Sequence, residues 1–304
     1  DFLQNECKVL IIGAGGLGCE LVKNLSMSGF KNISIIDMDT IDLSNLNRQF
    51  LFRQADVGKS KAETAAKFVN NRVAGCNVTP YNKKIQEMSN DFYKDFNIVI
   101  SGLDSISARR WINSLLVGFI KYEDSEEENA EPEIDFSTLI PFIDGGTEGF
   151  KGQARVIMPR LTSCYECTMG LFTPQKAVPL CTAASTPRTP EHCIVFAMEK
   201  AWKETKGKPE IPDDEDVDGD NAAHIKWITN TAIEYGLKHN IAGVNYRLTQ
   251  GVVKNIIPAI ASTNAIIASA CANEAVKLAT LIYPQLDDYM LYNGNEGIYT
   301  YTYK

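Results

Sequence analysis

The first hundred residues alternate between short apolar runs and segments in which apolar residues recur at helical intervals. The apolar runs predict strands at residues 3–12, 33–37, 77–81 and 98–101, and the helical intervals predict helices ending at residue 27 and spanning 59–72. Alternation of this kind is typical of a mostly parallel sheet with helices on both faces. We therefore predict an α/β fold for this part of the chain.

The pattern is less regular in the middle of the chain. Residues 123–135 are strongly acidic and lack hydrophobic periodicity, so they predict a solvated loop. Residues 142–152 resume the sheet and then predict repeated turns at their glycines. The prolines, threonines and cysteines of residues 159–190 predict an irregular crossing into a second region.

The second region is predicted to be mainly helical. We place its helices at residues 192–203, 224–237 and 252–257. A long apolar helix at 259–281 could then pack back on the sheet, and residues 290–303 alternate around Asn293-Gly294, which predicts a β-hairpin.

The turn between the first strand and the first helix consists largely of glycine. Gly13, Gly15 and Gly18 have the spacing G-x-G-x-x-G, with Gly16 among them. Glycines let the backbone approach a phosphate group, and the start of a helix offers free N–H donors. Asp37 ends the second strand, close to the separation at which an acidic side chain can bind a ribose hydroxyl. Together these features predict a nucleotide site in a Rossmann-like fold.

Polar and charged residues that suit a triphosphate follow within twenty-four positions of Asp37. They are Asp39, Asn45, Asn47, Arg48, Gln49, Lys59 and Lys61. Any one of them alone could be a solvated loop residue, but the apolar residues among them predict a folded segment. Asp104 lies just past the strand that ends at residue 101. There it could hold Mg²⁺ against ATP phosphates or serve as a structural hydrogen-bond acceptor.

Composition argues against several other classes of protein. The chain of 304 residues has a net charge of −8, which disfavours a nucleic-acid surface. No apolar run reaches the roughly 18 residues of a membrane span, and the first residues do not resemble a secretory signal. Eight scattered cysteines are too few for a disulfide scaffold, so we expect a cytosolic or nuclear protein.

Five segments resemble, in one order, the adenylation domain of the ubiquitin-activating enzyme superfamily. They are Gly13-Ala-Gly-Gly-Leu-Gly18, Asp37-Met-Asp39, Leu43-Ser-Asn-Leu-Asn-Arg-Gln49, Gly58-Lys-Ser-Lys61 and Gly102-Leu-Asp104. The resemblance implies that Asp37 binds the ribose of ATP and that Asp104 binds Mg²⁺. It also implies phosphate contacts from Asn45, Arg48 and Lys61. The implied reaction joins AMP to the C-terminal carboxylate of a small ubiquitin-like protein.

Later segments resemble the catalytic subunits of the neddylation branch of that superfamily. They are Gly145-Gly-Thr-Glu-Gly-Phe-Lys-Gly152, Asp218-Gly-Asp220 with His224-Ile-Lys-Trp227, and the run from Tyr246 to Asn264. Arg155 matches a position at which this branch is thought to repel an arginine on the ubiquitin tail. From its residue type alone, Arg155 could also be a strand-edge arginine.

Three cysteines are candidates for chemistry. Cys164 and Cys167 form a C-x-x-C pair that could supply half of a tetrahedral zinc site, with the second pair beyond residue 304, unless zinc is absent. We therefore expect Zn²⁺ in the complete protein rather than in this chain alone. Cys181, in a polar, proline-flanked segment, is a nucleophile or a structural thiol. Its Leu-Cys-Thr segment resembles the active-cysteine segment of two-subunit activating enzymes, which implies that Cys181 is catalytic.

These features together predict a two-step enzyme that uses MgATP. An adenylation domain, residues 1–168 and 255–304, would make the modifier adenylate, and a catalytic-cysteine domain, residues 169–254, would form a thioester on Cys181. The resemblance implies a heterodimer with a pseudo-symmetric regulatory subunit, and a conjugating enzyme that collects the modifier. It also implies a ubiquitin-like C-terminal domain that these residues lack, so we expect the complete protein to be longer.

Several alternatives stay open. A sister enzyme could activate the sumoylation modifier or ubiquitin, and a bacterial-type sulfur-carrier adenylyltransferase shares the glycine turn, although the long helical region argues against it. A non-catalytic nucleotide-binding scaffold is disfavoured by the joint presence of Arg48, Lys61, Asp104 and Cys181. A nicotinamide dehydrogenase is the remaining alternative.

Overall fold

The chain divides into two compact units. The computed structural model describes residues 2–123, 132–171, 180–205, 216–254, 259–282, 288–297 and 299–303. Unit 1 comprises Asp1–Leu171 and Ala259–Lys304, and unit 2 comprises Phe172–Pro258. Unit 2 is therefore an insertion in the sequence of unit 1.

Unit 1 combines strands and helices in alternation. Its strands are β1 (Lys8–Ile12), β2 (Asn32–Ile36), β3 (Asn77–Tyr81), β4 (Ile98–Ser101), β5 (Tyr122–Glu123), β6 (Glu133–Ile134), β7 (Phe142–Glu148), β8 (Lys151–Ile157), β9 (Tyr289–Asn293) and β10 (Tyr299–Tyr303). Its helices are α1 (Phe2–Asn5), α2 (Gly16–Met27), α3 (Lys61–Arg72), α4 (Asn90–Lys94), α5 (Ile106–Gly118) and α11 (Ala261–Ala279).

One sheet organises unit 1. Within the described residues its order is β10-β9-β8-β7-β4-β1-β2-β3, and β5 pairs with β6 apart from it. The strands from β7 to β3 pair in parallel, whereas β8, β9 and β10 are added antiparallel. This confirms the predicted α/β fold with a mostly parallel sheet.

The core of unit 1 lies between the sheet and its helices. Val9, Ile11, Ile33 and Ile35 of the central strands are fully buried, and α11 packs along α2 and across β7 and β8. Burying an aliphatic side chain of this size stabilises a fold by about 1.5–3 kcal/mol. None of the described helices combines the length and the apolar character that crossing a membrane requires.

Unit 2 is helical in its described residues. Its helices are α6 (Leu180–Ser185), α7 (Pro190–Phe196), α8 (Trp202–Thr205), α9 (Ala222–Lys238) and α10 (Tyr246–Val253), with a π-helical stretch at Ala197–Ala201. Cys193, Trp202 and Ile228 belong to its buried core. The predicted helical character of this region is confirmed. The helix predicted at 252–257 instead begins at Tyr246 and ends at Val253, and residues 255–258 lie outside the described part.

The structure also differs from the predictions for unit 1. Residues 2–5 form α1, so the first strand begins at Lys8 rather than at residue 3. Helix α5 was not predicted. Gly146 does not turn the chain but lies within β7, where a methyl group would come within 2.8 Å of Nη1 of Arg109. This glycine makes room for a buried side chain, and the chain turns only at Gly149, which has φ +57°.

Candidate functional site

The candidate nucleotide site lies at the point in the sheet where the order of the strands reverses. The order β3-β2-β1-β4 reverses between β1 and β4, and open α/β sheets bind ligands outside the carboxyl ends of the strands at such a point. Gly13 follows β1 and Gly102 follows β4. A methyl group at Gly13 would come within 2.9 Å of the Gly102 carbonyl oxygen, so the two turns are in direct contact.

The glycine turn after β1 is shaped by close backbone contacts. Gly13 has φ +97°, a conformation that favours glycine, and α2 begins directly afterwards at Gly16. A methyl group at Gly18 would overlap the Gly13 carbonyl oxygen, so the helix can start this close to the turn only with glycine there. Gly15 caps the helix without a side chain and faces more open space, with its nearest such neighbour 3.9 Å away.

Asp37 fixes the glycine turn from the end of β2. Its Oδ2 accepts the backbone N–H of Ala14 at 2.6 Å, and its Oδ1 accepts that of Asp39 at 2.8 Å. Burial raises the pKa of Asp37 despite these two hydrogen bonds, which oppose the rise. An ionised carboxylate has about four lone-pair sites. Asp37 can therefore hold the turn and still accept a ribose hydroxyl.

The segment after Asp39 is folded, as predicted, and the chain turns back on itself. Thr40 and Ser60 form an antiparallel bridge, and the N–H of Ile41 donates to the Lys59 carbonyl at 2.8 Å. Leu51 and Phe52 of this segment are almost completely buried in the core. The polar residues between the two ends are therefore presented by a packed loop.

Asn45 and Arg48 occupy this packed loop. Oδ1 of Asn45 accepts the N–H of Asp42 at 3.0 Å, which leaves its amide N–H groups to donate elsewhere. Nη1 of Arg48 donates to the Ser44 carbonyl at 3.3 Å, and Cγ of Arg48 would lie 3.5 Å from a methyl group at Gly16. The Arg48 side chain thus lies against the glycine turn.

Lys61 and Asp39 form an ion pair beside these residues. Lys61 is the first residue of α3, and its Nζ lies 2.7 Å from Oδ2 of Asp39. The Lys61 side chain is 10% exposed, whereas that of Asp39 is 54% exposed. Asp39 thus holds an otherwise buried ammonium group at the edge of the site.

Asp104 projects from the turn that follows β4. It is exposed, and within the described residues its carboxylate has no hydrogen-bond or ion-pair partner. Ser105 follows it and caps α5, accepting the N–H of Ala108. An exposed carboxylate without a protein partner suits a hydrated Mg²⁺ ion, which prefers oxygen ligands and retains several waters.

A buried network that sequence reasoning missed supports the Asp104 turn. Arg109 of α5 donates to the Leu103 carbonyl through Nε at 3.2 Å and also through Nη2, and it pairs with Oδ2 of Asp144 at 3.0 Å. Asp144 is completely buried and accepts the Ser101 hydroxyl at 2.5 Å. The network therefore joins the carboxyl end of β4 to β7 and fixes the residue before Asp104.

Asn264 of α11 also reaches the glycine turn. It is buried, its Oδ1 accepts the Thr147 hydroxyl at 2.7 Å, and its amide group would collide with a methyl group at Gly16. In the sequence analysis Asn264 is only the last residue of a resembling segment, with no role attached. No local signal marks it, because it lies 248 positions after Gly16.

Arg155 lies inside the fold rather than at a strand edge. Strand β8 runs between β7 and β9, so the strand-edge interpretation is wrong. Arg155 is 3% exposed, its guanidinium lies 5.3 Å from the Tyr165 ring centroid and 5.2 Å from that of Tyr289, and it donates to the Thr168 hydroxyl. Its selectivity role stays a prediction.

Cys164 and Cys167 are adjacent in space. Their sulfur atoms lie 3.6 Å apart. Burial opposes ionisation of Cys164, but hydrogen bonds from Cys167, Asn113 and Glu166 outweigh it and lower the pKa of this thiol. The pair fits half of a thiolate metal site. No group of three or more metal-ligating side chains occurs in the part of the chain that the structure describes.

Five other cysteines are buried and poorly suited to nucleophilic attack. They are Cys7, Cys19, Cys76, Cys193 and Cys271. Burial raises the pKa of each of them, to about 11 for Cys7 and about 12 for Cys19. Cys181 is the second residue of α6, not part of an irregular segment as predicted, and its side chain lies outside the described part of the structure.

Comparisons with known proteins agree with this architecture. The ThiF family model matches residues 3–301. The NEDD8-activating enzyme E1 catalytic subunit of Dictyostelium discoideum is 57% identical over 303 residues, covering 99% of this chain and 67% of that protein. The protein of the same description in Saccharomyces cerevisiae is 37% identical and covers 98% of this chain and 94% of its own length. The chain thus spans about two thirds of the first relative and nearly all of the second.

A solved structure shares the fold at low identity. Escherichia coli MccB, crystallised with AMPCPP and MccA, aligns with a TM-score of 0.57 and 19% identity. The alignment covers 99% of this chain and 64% of that chain.

Proposed function

Because the chain belongs to the ThiF family and, within it, to the NEDD8-activating enzyme E1 catalytic subunits, we propose that the complete protein activates a neddylation-type modifier. Activation takes two ATP-dependent steps, adenylation of the C-terminal carboxylate of the modifier and formation of a thioester. The proposal assigns adenylation to unit 1 and the thioester to unit 2. The main structural support for this proposal is the direct contact between the turn after β1 and the turn that presents Asp104.

The unit 1 residues suit the parts of ATP. Asp37, which holds the glycine turn, would accept a ribose hydroxyl, and the uncapped N–H groups at the start of α2 would donate to phosphate oxygens. Arg48 and Lys61 supply positive charge to the same edge, and Asn45 supplies amide N–H groups. Asp104 would hold Mg²⁺, which neutralises phosphate charge.

The first step activates a poor acyl donor. A carboxylate oxygen of the modifier attacks the α-phosphorus of ATP, the bond to the β-phosphate breaks, and pyrophosphate leaves. Arg48 and Lys61 stabilise charge on the phosphates during this displacement. Arg109 contributes indirectly, because it fixes the turn from which Asp104 projects.

The second step transfers the acyl group to sulfur. The thiolate of Cys181 attacks the acyl carbon of the adenylate, the carbon–oxygen bond to AMP breaks, and AMP leaves with the electron pair. The burial and raised thiol pKa values of five other cysteines support Cys181 over them as the nucleophile. A conjugating enzyme then collects the modifier by attack of its own thiol.

A regulatory subunit, zinc and cellular location belong to the same proposal. We expect a pseudo-symmetric partner subunit to complete the nucleotide site, so this chain alone should be nearly inactive. We expect Cys164 and Cys167 to bind Zn²⁺ with a second cysteine pair outside these residues. We also expect the complex in the cytosol or nucleus.

Mass spectrometry of the intact complex tests the proposal. The complete chain with its regulatory partner is mixed with MgATP and the neddylation modifier, before and after addition of a thiol reductant. The expected result is one covalent modifier adduct that the reductant removes, absent from Cys181→Ala and retained in Cys76→Ala, which lacks a buried thiol of unit 1. An adduct on Cys181→Ala would refute the assignment of the nucleophile.

A tail-exchange assay separates the sister enzymes. Modifiers carrying the C-terminal tails of the neddylation modifier, the sumoylation modifier and ubiquitin are compared as substrates. Preference for the neddylation tail supports the proposal. Nucleotide binding without any adduct would favour a scaffold subunit instead.

A further inference from the structure

Asn264 lies where α11 meets the start of α2. It is the fourth residue of α11 and is 3% exposed. A methyl group on Gly16, the first residue of α2, would collide with Nδ2 of Asn264 and would lie 3.5 Å from Cγ of Arg48. The Asn264 amide and the Arg48 side chain therefore meet at the first turn of α2.

One hydrogen bond fixes the orientation of the Asn264 amide. Its Oδ1 accepts the Thr147 hydroxyl at 2.7 Å. Its Nδ2 carries two N–H donors, and neither has a hydrogen-bond partner in the part of the chain that the structure describes. Most polar groups on residues this buried are hydrogen-bonded, so an unpartnered amide that faces the glycine turn points to a ligand.

The groups that converge on the first turn of α2 all suit an anion. Gly15 occupies the N-cap position and offers no side-chain cap to the first N–H groups of the helix. These N–H groups form the positive end of the helix dipole. Arg48 adds a full positive charge and Asn264 adds amide donors, so an anionic oxygen could accept from all three.

We propose that Asn264 is a phosphate-binding residue for ATP, which donates from Nδ2 to an oxygen bound at the start of α2. This inference rests on the proposed function, in which unit 1 binds ATP. An anionic oxygen could come from the ATP phosphates or from the C-terminal carboxylate of the modifier. The geometry favours phosphate, because Asp37 holds the same turn and would bind the ribose to which the phosphates are attached.

Asn264→Asp removes the donor and keeps the shape of the side chain. Aspartate can still accept the Thr147 hydroxyl, but an ionised carboxylate has no N–H to donate and repels phosphate. In the complete complex with its regulatory subunit, without modifier, we expect the Kd for ATP, measured by calorimetry, to rise about tenfold or more. Losing a hydrogen bond to a charged group has an effect of this size. The KM for the modifier at saturating ATP should stay at the wild-type value.

Thr147→Val is a second and milder variant. It keeps the Asn264 amide but removes the hydroxyl that orients it. We expect the Kd for ATP to rise about fivefold, the effect of losing one net hydrogen bond. This variant decides the question if Asn264→Asp does not fold.

Asn97→Asp is the matched control. Asn97 is exposed and directly precedes β4, so it lies at the amino end of a strand whose carboxyl end faces the site. Its Oδ1 accepts the N–H of Lys8 at 2.8 Å, an acceptor that aspartate keeps. The substitution makes the same chemical change and adds the same charge, and the Kd for ATP should remain at the wild-type value.

The outcomes separate this inference from the function on which it rests. Unchanged ATP affinity in Asn264→Asp and Thr147→Val would overturn it. A raised KM for the modifier with unchanged ATP affinity would also overturn it, because the amide would then bind the carboxylate. Equal weakening in Asn97→Asp would show a general effect of charge and would contradict a local contact. If the wild-type complex binds no ATP, the proposed function itself is wrong.

Discussion

Single atoms decide the geometry of the glycine turn. Four glycines lie at residues 13–18, yet their surroundings differ. Gly18 has no room for a side chain beside the Gly13 carbonyl oxygen, whereas Gly15 faces open space with φ −74°, which alanine readily adopts. The motif therefore contains a position fixed by packing and a position that packing leaves free.

Alanine substitutions at these two positions should have different effects on stability. We expect Gly18→Ala to lower the free energy of unfolding by about 3 kcal/mol or more, because the turn and α2 must separate. Gly15→Ala should cost only about 0.5–1 kcal/mol, as an alanine at a helix N-cap does. Chemical denaturation of both variants measures the difference, and equal stabilities would contradict this account of the turn.

Asp37 should make nucleotide binding sensitive to pH. Its pKa is raised chiefly by burial, so it loses its charge at a higher pH than an ordinary aspartate, whose pKa is about 3.9. On acidification we expect ATP affinity, measured calorimetrically, to weaken earlier than it would for an exposed carboxylate. Asp37→Asn should bind weakly and lack this component of the pH dependence.

The raised pKa of Asp37 affects folding stability and ATP affinity in opposite directions. Acidification weakens ATP binding but favours the folded state at this residue. A folded state with a raised pKa binds the proton more tightly than the unfolded chain. The contribution of Asp37 to stability is therefore fully present below the unfolded pKa and is lost as the pH rises through the folded pKa. The difference in unfolding free energy between wild type and Asp37→Asn should change with pH in that direction, and a difference independent of pH would contradict the raised pKa.

Two parallel strands and a helix are joined by charge in the centre of unit 1. Arg109 of α5 bridges the Leu103 carbonyl after β4, Asp144 of β7 and the Gly145 carbonyl, to which Nη2 donates at 2.9 Å. Both charged partners are buried. Breaking such a pair leaves one charge without compensation in a low-dielectric interior.

We therefore expect Arg109→Met to lower the free energy of unfolding by about 3–5 kcal/mol. The double variant Arg109→Met with Asp144→Leu should recover most of this loss, because no uncompensated charge remains. Denaturant unfolding of both proteins measures the effect. A single variant as stable as wild type would show that the pair is not required.

The sequence predicted the parts of the site whose signal is local. Asp37 could be identified because it follows a strand at a recognisable distance from the glycines, and the strands at 77–81 and 98–101 were predicted with the bounds observed. Arg109 and Asp144 could not be identified as partners. They lie 35 positions apart and meet only because β4 and β7 are adjacent in the sheet. An arginine on a helix normally faces solvent, so the residue type of Arg109 did not indicate a buried ion pair.

At the scale of the whole molecule, the cysteine pair of unit 1 supplies only half of the ligands that a structural zinc site needs. Cys164 and Cys167 offer two thiols, and structural zinc sites are four-coordinate. We expect the complete protein to contain one zinc ion per chain. Residues 1–304 alone should contain little.

Metal analysis of the purified proteins tests this expectation. Cys164→Ser and Cys167→Ser should each remove zinc from the complete protein, whereas Cys76→Ala should leave it in place, because Cys76 is buried against the Phe30 carbonyl. Zinc retained in both serine variants would show that this pair is not a ligand.

The insertion of unit 2 also has a consequence for synthesis on the ribosome. Helix α11, which covers α2 and crosses β7 and β8, belongs to unit 1 but is translated after the whole of unit 2. At about 5–20 residues per second, the stretch Ala259–Lys304 requires several seconds. During that interval unit 2 is already fully translated, while the apolar side of α2 is not yet covered by α11. The nascent chain therefore passes through a stage in which its later unit can fold before its earlier one.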